Sequence, residues 1–388
     1  MRVRVIVLIS IALAFFCEKM PCFAAMGESN PSQEVIVLPP QEEKTILPSS
    51  TDGLLQIQPQ SQPPLGAQVE QNIFNKSFKK TFATGIVKDI SLITSHDSIY
   101  SLLSENGGPT HNLFNNATSL YGFQGHFRDD SQYYLSFMPF RNIEGYENVE
   151  HWIFEYYVKR SLNEHNKITI GQQRNSSGLE GSHSIFGLET GRRSLFASKC
   201  SNITAIGTKI SGDYDKFDYQ AGIFDTGRFL KNNFDSAPEF SGMVNFKPIK
   251  NTQKYGKIKT GTSYTVGSRE TSYSVCTGHI LYDYKKAHVD FEYAYADGYN
   301  AKVIKTDKAK GYYATFVYDI TPKIKAFYRF DTLDPNTRLA GQKISEYTTG
   351  LHYYIKGNKA RVTLSYVYAD YESKPDSNRL FSMFELLL

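Results

Sequence analysis

The chain has 388 residues, a formal net charge of +4, and 14% aromatic residues, with 27 Tyr and 26 Phe but a single Trp, Trp152. This is too long for a disulfide-stapled mini-protein, four cysteines make no disulfide framework, and so weak and mixed a charge excludes a dedicated nucleic-acid binder. One apolar run occurs, at the extreme N-terminus, so no transmembrane helix is expected after residue 25 and the β-barrel is the membrane option that remains.

Arg2 and Arg4 precede a 12-residue apolar stretch, Val5–Phe16, and a more polar segment ending Cys22-Phe23-Ala24. That order predicts a secretory signal over residues 1–24, because 12 apolar residues are too few to span a bilayer. Both Cys17 and Cys22 fall in this segment; Cys200 and Cys276 remain, and nothing in the sequence says whether they pair. Residues 25–74 hold seven of the 15 prolines, six acidic residues and one lysine, with no aromatic before Phe74. Such a composition cannot bury enough apolar surface to offset ordering entropy, so a disordered Pro/Gln-rich linker of net charge −5 is expected. A net +7 is left on residues 75–388.

Residues 75–388 are expected to form one β domain, with a clear period of two from about residue 118. Tyr347, Thr349, Leu351 and Tyr353 alternate with Thr348, Gly350, His352 and Tyr354, and Val362, Leu364, Tyr366 and Tyr368 alternate with Arg361, Thr363, Ser365 and Val367. Fifteen such strands are predicted, separated by turn formers such as Asp297-Gly298 and Thr321-Pro322-Lys323. A sixteenth is placed at 82–90, and Leu and Ile at loose helical spacing suggest a short helix over 91–106.

A one-faced antiparallel sheet fits either a soluble sandwich with its apolar face inward or an outer-membrane barrel with that face outward. Most strands are long enough to cross a bilayer at a tilt, which takes roughly 9 to 11 residues. Their polar faces carry charges at mid-strand (Glu155 and Lys159, Asp290 and Glu292, Lys325 and Arg329, Lys257 and Lys259), as a wet lumen tolerates. Their apolar faces are rich in Tyr and Phe, as membrane-interface girdles require. The fold class expected is therefore all-β, an antiparallel transmembrane β-barrel of about 16 strands.

Several stretches resemble the phosphate-selective porin O and P family: Lys167-Ile-Thr-Ile-Gly-Gln172, Gly178-Leu-Glu180, Glu189-Thr-Gly-Arg-Arg-Ser-Leu195, Ile206-Gly-Thr-Lys-Ile-Ser-Gly212 and Tyr219-Gln-Ala-Gly-Ile-Phe224, then Gly311-Tyr-Tyr313, Tyr328-Arg-Phe-Asp-Thr-Leu-Asp-Pro-Asn336, Thr349-Gly-Leu-His-Tyr-Tyr354 and Arg361-Val-Thr-Leu-Ser-Tyr366. The resemblance implies a 16-stranded outer-membrane barrel, usually trimeric, that passes small anions. This sequence departs from the family in having Gln173-Arg174-Asn175 after the Gly-Gln pair and in ending Phe384-Glu-Leu-Leu-Leu388 without a terminal aromatic.

Between Gly171 and Ile203 lie 31 residues containing Arg174, Arg192, Arg193 and Lys199. A connection this long usually has a function. Infolded, it narrows the bore, and its cations attract anions; the alternative is an external loop with solvated charges. On the wall, Lys257, Lys259, Lys325, Arg329 and Arg361 fall on polar strand faces together with Asp290, Glu292, Asp331 and Glu155, so the expected lumen is mixed and a general diffusion pore competes with an anion-specific one. No cofactor, metal site or enzyme motif is expected, and the scattered His126, His288 and His352 are read as wet-face residues. The expected partners are the lipid bilayer, small hydrophilic solutes or anions, and two further copies of the chain in a homotrimer. The competing functions are an outer-membrane barrel enzyme and a secreted β-rich binding protein.

Overall fold

The computed structural model describes residues 79–105, 111–138, 153–183, 188–201, 204–225, 237–249, 252–268, 271–298, 307–355 and 360–387. The expected signal over 1–24 and linker over 25–74 lie outside these residues.

Seventeen strands form one antiparallel sheet. They are β1 (Lys79–Thr81), β2 (Val87–Glu105), β3 (His111–Phe127), β4 (Gln132–Phe137), β5 (Ile153–Ser161), β6 (Asn166–Arg174), β7 (Thr204–Asp213), β8 (Phe217–Phe224), β9 (Ala237–Phe246), β10 (Lys257–Ser268), β11 (Ser272–Tyr284), β12 (Ala287–Asp297), β13 (Lys308–Thr321), β14 (Ile324–Asp334), β15 (Ile344–Tyr354), β16 (Ala360–Tyr371) and β17 (Ser377–Leu387). Among the described residues, three short helices, α1 (Leu179–Ser182), α2 (Leu195–Cys200) and α3 (Thr252–Tyr255), interrupt the order. Each strand from β2 onward pairs with its sequence neighbours, and β17 returns to β2 from Ser377↔Glu105 to Leu387↔Ser95, so sixteen strands complete a ring. β1 is a short addition beside the start of β2. A ring of this size is wide enough for an aqueous channel.

The helix expected over 91–106 is a strand instead. Residues 87–105 form β2 because the ladder to β3 runs nearly its whole length and the ladder to β17 holds Ser95–Glu105, which tertiary pairing achieves whatever the local spacing of Leu and Ile. Of the segment 82–90, residues 87–90 are the start of that strand and 82–86 bend into it, so it is not a separate strand.

The connections alternate in length. One end of the barrel is closed by short turns, such as 285–286 between β11 and β12 and 322–323 between β13 and β14; the other carries the longer segments 138–152, 175–203 and 225–236. Lys285 takes a positive φ of 53°, as a two-residue hairpin turn demands.

The two faces of the wall are inverted relative to a soluble protein. Large apolar side chains point outward and are exposed, among them Ile223 at 53% and Leu364 at 49%, whereas Ser136, Glu239, His279, Thr315, His352 and Thr363 are buried on the inner face. Outside, Phe291, Tyr312, Phe330, Tyr347 and Tyr368 form a continuous aromatic band over β12 to β16, with successive ring centroids 5.1 to 6.3 Å apart. Such a band suits the membrane–water boundary, where rings with apolar bodies and polar tips collect. Among the described residues no helix is long and apolar enough to cross a membrane.

This sidedness carries a prediction. Leu364→Arg, on the outer face of β16, should destabilise the folded barrel in lipid by about 2–4 kcal/mol, as a cation at the bilayer midplane does. Lys325→Gln, on the inner face, should cost little, because its pairing with Asp319 is a half-exposed ion pair. Urea unfolding in lipid vesicles, followed by heat-modifiable gel migration, measures both.

Candidate functional site

The connection between β6 and β7 lies inside the ring, and its contacts with the inner wall define the site. It starts from a fixed base. Gln172 Nε2 donates to Phe154 O at 2.6 Å, and Gln173 Nε2 donates to Thr169 O at 3.0 Å and to Gly207 O at 3.2 Å. Arg174 Nε lies 3.2 Å from Glu155 Oε1, and neither side chain has any exposed surface. Arg174 Nη1 donates to His183 O at 3.0 Å, and Lys209 Nζ on β7 donates to Arg174 O at 2.7 Å.

From this base the chain runs along the wall and touches strand after strand. Asn175 Nδ2 donates to Glu239 Oε1 on β9 at 2.7 Å, and Ser176 Oγ to Gln220 Oε1 on β8 at 3.2 Å. Gly178 N donates to Ser263 Oγ on β10 at 2.9 Å. Leu179 N, opening α1, donates to Glu292 Oε1 on β12 at 2.6 Å. Gly178 has φ +78°, and a Cβ there would sit 2.8 Å from Glu292 Oε1, so the close approach to β12 needs glycine.

Glu180 is the clasp. Its carboxylate accepts Arg329 Nη2 from β14 and, at 2.5 Å, Ser194 N from the returning limb of the loop. Arg329 is held in turn by Thr315 Oγ1 at 2.9 Å and donates through Nη1 to Arg192 O at 3.0 Å. Leu195 N, at the start of α2, donates to Asp331 Oδ2 at 2.7 Å, and Ser194 Oγ accepts Ala197 N at 3.1 Å as the helix cap. The far limb is held by β15 and β16: His352 Nε2 donates to Glu189 O at 2.6 Å and Arg361 Nη2 to Leu188 O at 3.1 Å, with Glu385 paired to Arg361. Leu188 fills an apolar seat made by Ile93, Leu120, Tyr134, Met138 and Phe154. Phe196 and Cys200 of α2 pack against Val275, Ala294, Ala309 and Leu333. The loop is therefore bound to the wall on both sides of the lumen.

The cations named from the sequence divide into distinct environments. Arg174 is sealed against Glu155 and positions the loop. Arg192 stacks over the Phe381 ring at 4.6 Å, Arg193 Nη2 donates to His183 O at 2.6 Å, and Lys199 is exposed. Lys257, Lys259, Lys325, Arg329 and Arg361 lie on the inner face by register. Lys259 pairs with Asp218 at 3.1 Å, while Arg329 and Arg361 are taken up by Glu180 and Glu385. Burial pushes the His183 imidazole below its usual pKa, so it is neutral at pH 7 and its carbonyl serves as the shared acceptor for two arginines. Among the described residues there is no group of three or more metal-ligating side chains.

Sequence reasoning placed Lys159 on a polar strand face but did not join it to the basic cluster closest to the loop base. Lys159 on β5, Lys167 on β6 and Lys209 on β7 share the inner face of three adjacent strands, with Lys159 and Lys209 both opposite Thr169. Of the carboxylates that hold the loop, Asp331 and Glu292 were placed on the wall, whereas Glu180 and Glu385 were unassigned; the Gly-Leu-Glu motif was the one signal for Glu180.

Comparison with known proteins agrees with this geometry. Residues 250–381, from just before β10 into β17, match the family described as phosphate-selective porin O and P. The quoted segments 311–313, 328–336, 349–354 and 361–366 fall within that stretch, and those at 167–224 fall outside it. No curated protein sequence matches the chain. Among solved structures, the anion-selective porin from Comamonas acidovorans aligns with TM-score 0.59 at 9% identity, covering 77% of this chain and 99% of that one. The outer membrane channel DcaP of Acinetobacter baumannii aligns with TM-score 0.57 at 11% identity, covering 80% and 99%. OmpF of Salmonella typhi, solved with daunomycin, aligns with TM-score 0.56 at 10% identity, covering 77% and 98%. With its ring of sixteen paired strands, its lipid-facing aromatics, its infolded connection and a C-terminal third that matches the phosphate-selective porin O and P family, the chain is an outer-membrane porin.

Proposed function

We propose that this porin passes small hydrophilic solutes by passive diffusion and prefers anions, working as a homotrimer. The observation that carries the preference is the pair Lys159 and Lys167 on the lumen wall beside the loop base, with Arg192 and Arg193 on the loop. Cations around a narrow aqueous passage raise the local anion concentration and lower that of cations. The likeness to a porin whose name records anion selectivity supports the same reading.

Planar-bilayer recordings test it. In a salt gradient the wild-type reversal potential should show anions crossing faster than cations. Arg192→Gln with Arg193→Gln should lower that ratio at low ionic strength, where screening is weakest. A reversal potential of zero in the wild type would mean general diffusion without charge preference.

A further inference from the structure

The short-turn end of the barrel is strongly basic, whereas the long-loop end is not. Lys216, Lys257, Lys285, Lys286 and Lys323 are exposed there, and none forms an ion pair among the described residues. Of the acidic residues at this end, Asp130 pairs with Lys88, Asp129 with Arg160 and Asp213 with Lys247, and Glu164 and Asp215 are exposed without an ion pair among the described residues, so cations remain in excess. At the opposite end Asp297, Asp307, Asp334 and Glu372 lie among Lys308, Arg338, Lys343 and Lys374, with Lys308 paired to Asp297, so cations and carboxylates are in rough balance among the described residues. The excess of positive charge is thus on the short-turn rim.

The described chain begins at that same rim. β1 pairs Lys79 with Ser91 and Thr81 with Asp89, at the start of β2 and close to the end of β17. Residues 25–74 precede it with six acidic side chains, Glu28, Glu34, Glu42, Glu43, Asp52 and Glu70, against Lys44 alone. A chain of 50 residues with random-coil dimensions has a root-mean-square span of about 40 Å, comparable with the width of a sixteen-stranded barrel. Its attachment at the rim keeps its charges at a high effective concentration there.

We propose that the acidic segment 25–74 docks on the basic short-turn rim of its own barrel. The contact is one of charge against charge, spread over several turns, so it is sensitive to salt and tolerant of sequence order. Tethering favours this segment over an acidic molecule arriving from solution.

Lysine acetylation of the full chain in zwitterionic detergent, read by mass spectrometry, tests the proposal. The comparison is with a full-length variant carrying Glu28→Gln, Glu34→Gln, Glu42→Gln, Glu43→Gln, Asp52→Asn and Glu70→Gln, changes that leave the barrel untouched. At low salt Lys285, Lys286 and Lys323 should react about threefold more slowly in the wild type, with the difference lost at roughly 0.5 M salt, where the Debye length falls to a few ångströms. Lys343 and Lys374, at the other end, should react equally in both proteins. Equal rim reactivity in the two proteins at low salt would overturn the proposal. Protection that appears only in anionic-lipid nanodiscs, and equally in both proteins, would assign the rim to lipid headgroups and would also overturn it.

Discussion

Glu180→Gln should release the infolded loop and enlarge the conducting path. The substitution leaves the Arg329 guanidinium without its carboxylate and weakens the hold on Ser194 N, which joins the two limbs of the loop. Breaking one partner of a buried ion pair typically costs about 3–5 kcal/mol, enough to compete with the remaining single hydrogen bonds along the wall. The expected result is a larger and noisier single-channel conductance and faster entry of bulkier neutral sugars in liposome swelling. The ladders that make the ring do not involve Glu180, so heat-modifiable migration should stay as in the wild type. Arg329→Gln should act in the same direction, and the double substitution should add little to either single change, because both remove one interaction. Wild-type conductance and noise in both single variants would show that the clasp does not hold the loop.

The second large effect concerns selectivity. Lys159→Gln and Lys167→Gln together should shift the reversal potential toward cations further than the loop arginines do. One charge about 8 Å from a permeating ion in water contributes roughly 0.5 kcal/mol, so two contribute up to about fivefold in the anion-to-cation ratio at low salt. Arg192 stacks on Phe381 and Arg193 is anchored to His183 O, which fixes where their charges sit, whereas Lys159 and Lys167 are half-exposed on the wall. The shift should shrink as salt rises past the point where the Debye length falls below the distance from wall to ion. A double variant with the wild-type reversal potential at low salt would remove these two lysines from the account of selectivity.

The sheet was legible because each hairpin is written locally. Asp297-Gly298 and Thr321-Pro322-Lys323 mark turns, and the alternation between them sets the face of every residue once the register is known. β2 was misread because its length and pairing depend on strands far away: Leu92, Ile93, Ile99, Leu102 and Leu103 are spaced as on a helix, yet β17, nearly the whole barrel distant in sequence, supplies half of its hydrogen bonds. The site was legible in part for the same reason. The basic residues of the long connection stand out in the sequence, but the groups that seat them, such as Glu155 on β5 for Arg174 and Phe381 on β17 for Arg192, are brought to them by strand register and the closed ring and not by spacing. Lys209 shows the limit well: it lies in an ordinary strand pattern, and its place beside Arg174 follows from the register of β6 with β7.

The return of β17 to β2 also imposes an order of events during biogenesis. Until those two strands meet, each presents an unpaired edge able to recruit another chain, and theirs is the contact with the greatest sequence separation in the barrel, so it forms last and slowly. The connection after β6 emerges early, yet its anchoring groups sit on β9, β12, β14, β15 and β16. It cannot be seated before the C-terminal half exists, and it cannot enter from outside once the wall is complete except through an open mouth. Sealing the cylinder and fitting its interior are therefore coupled steps, and a cell making this protein must shield both bare edges until the second half of the chain arrives.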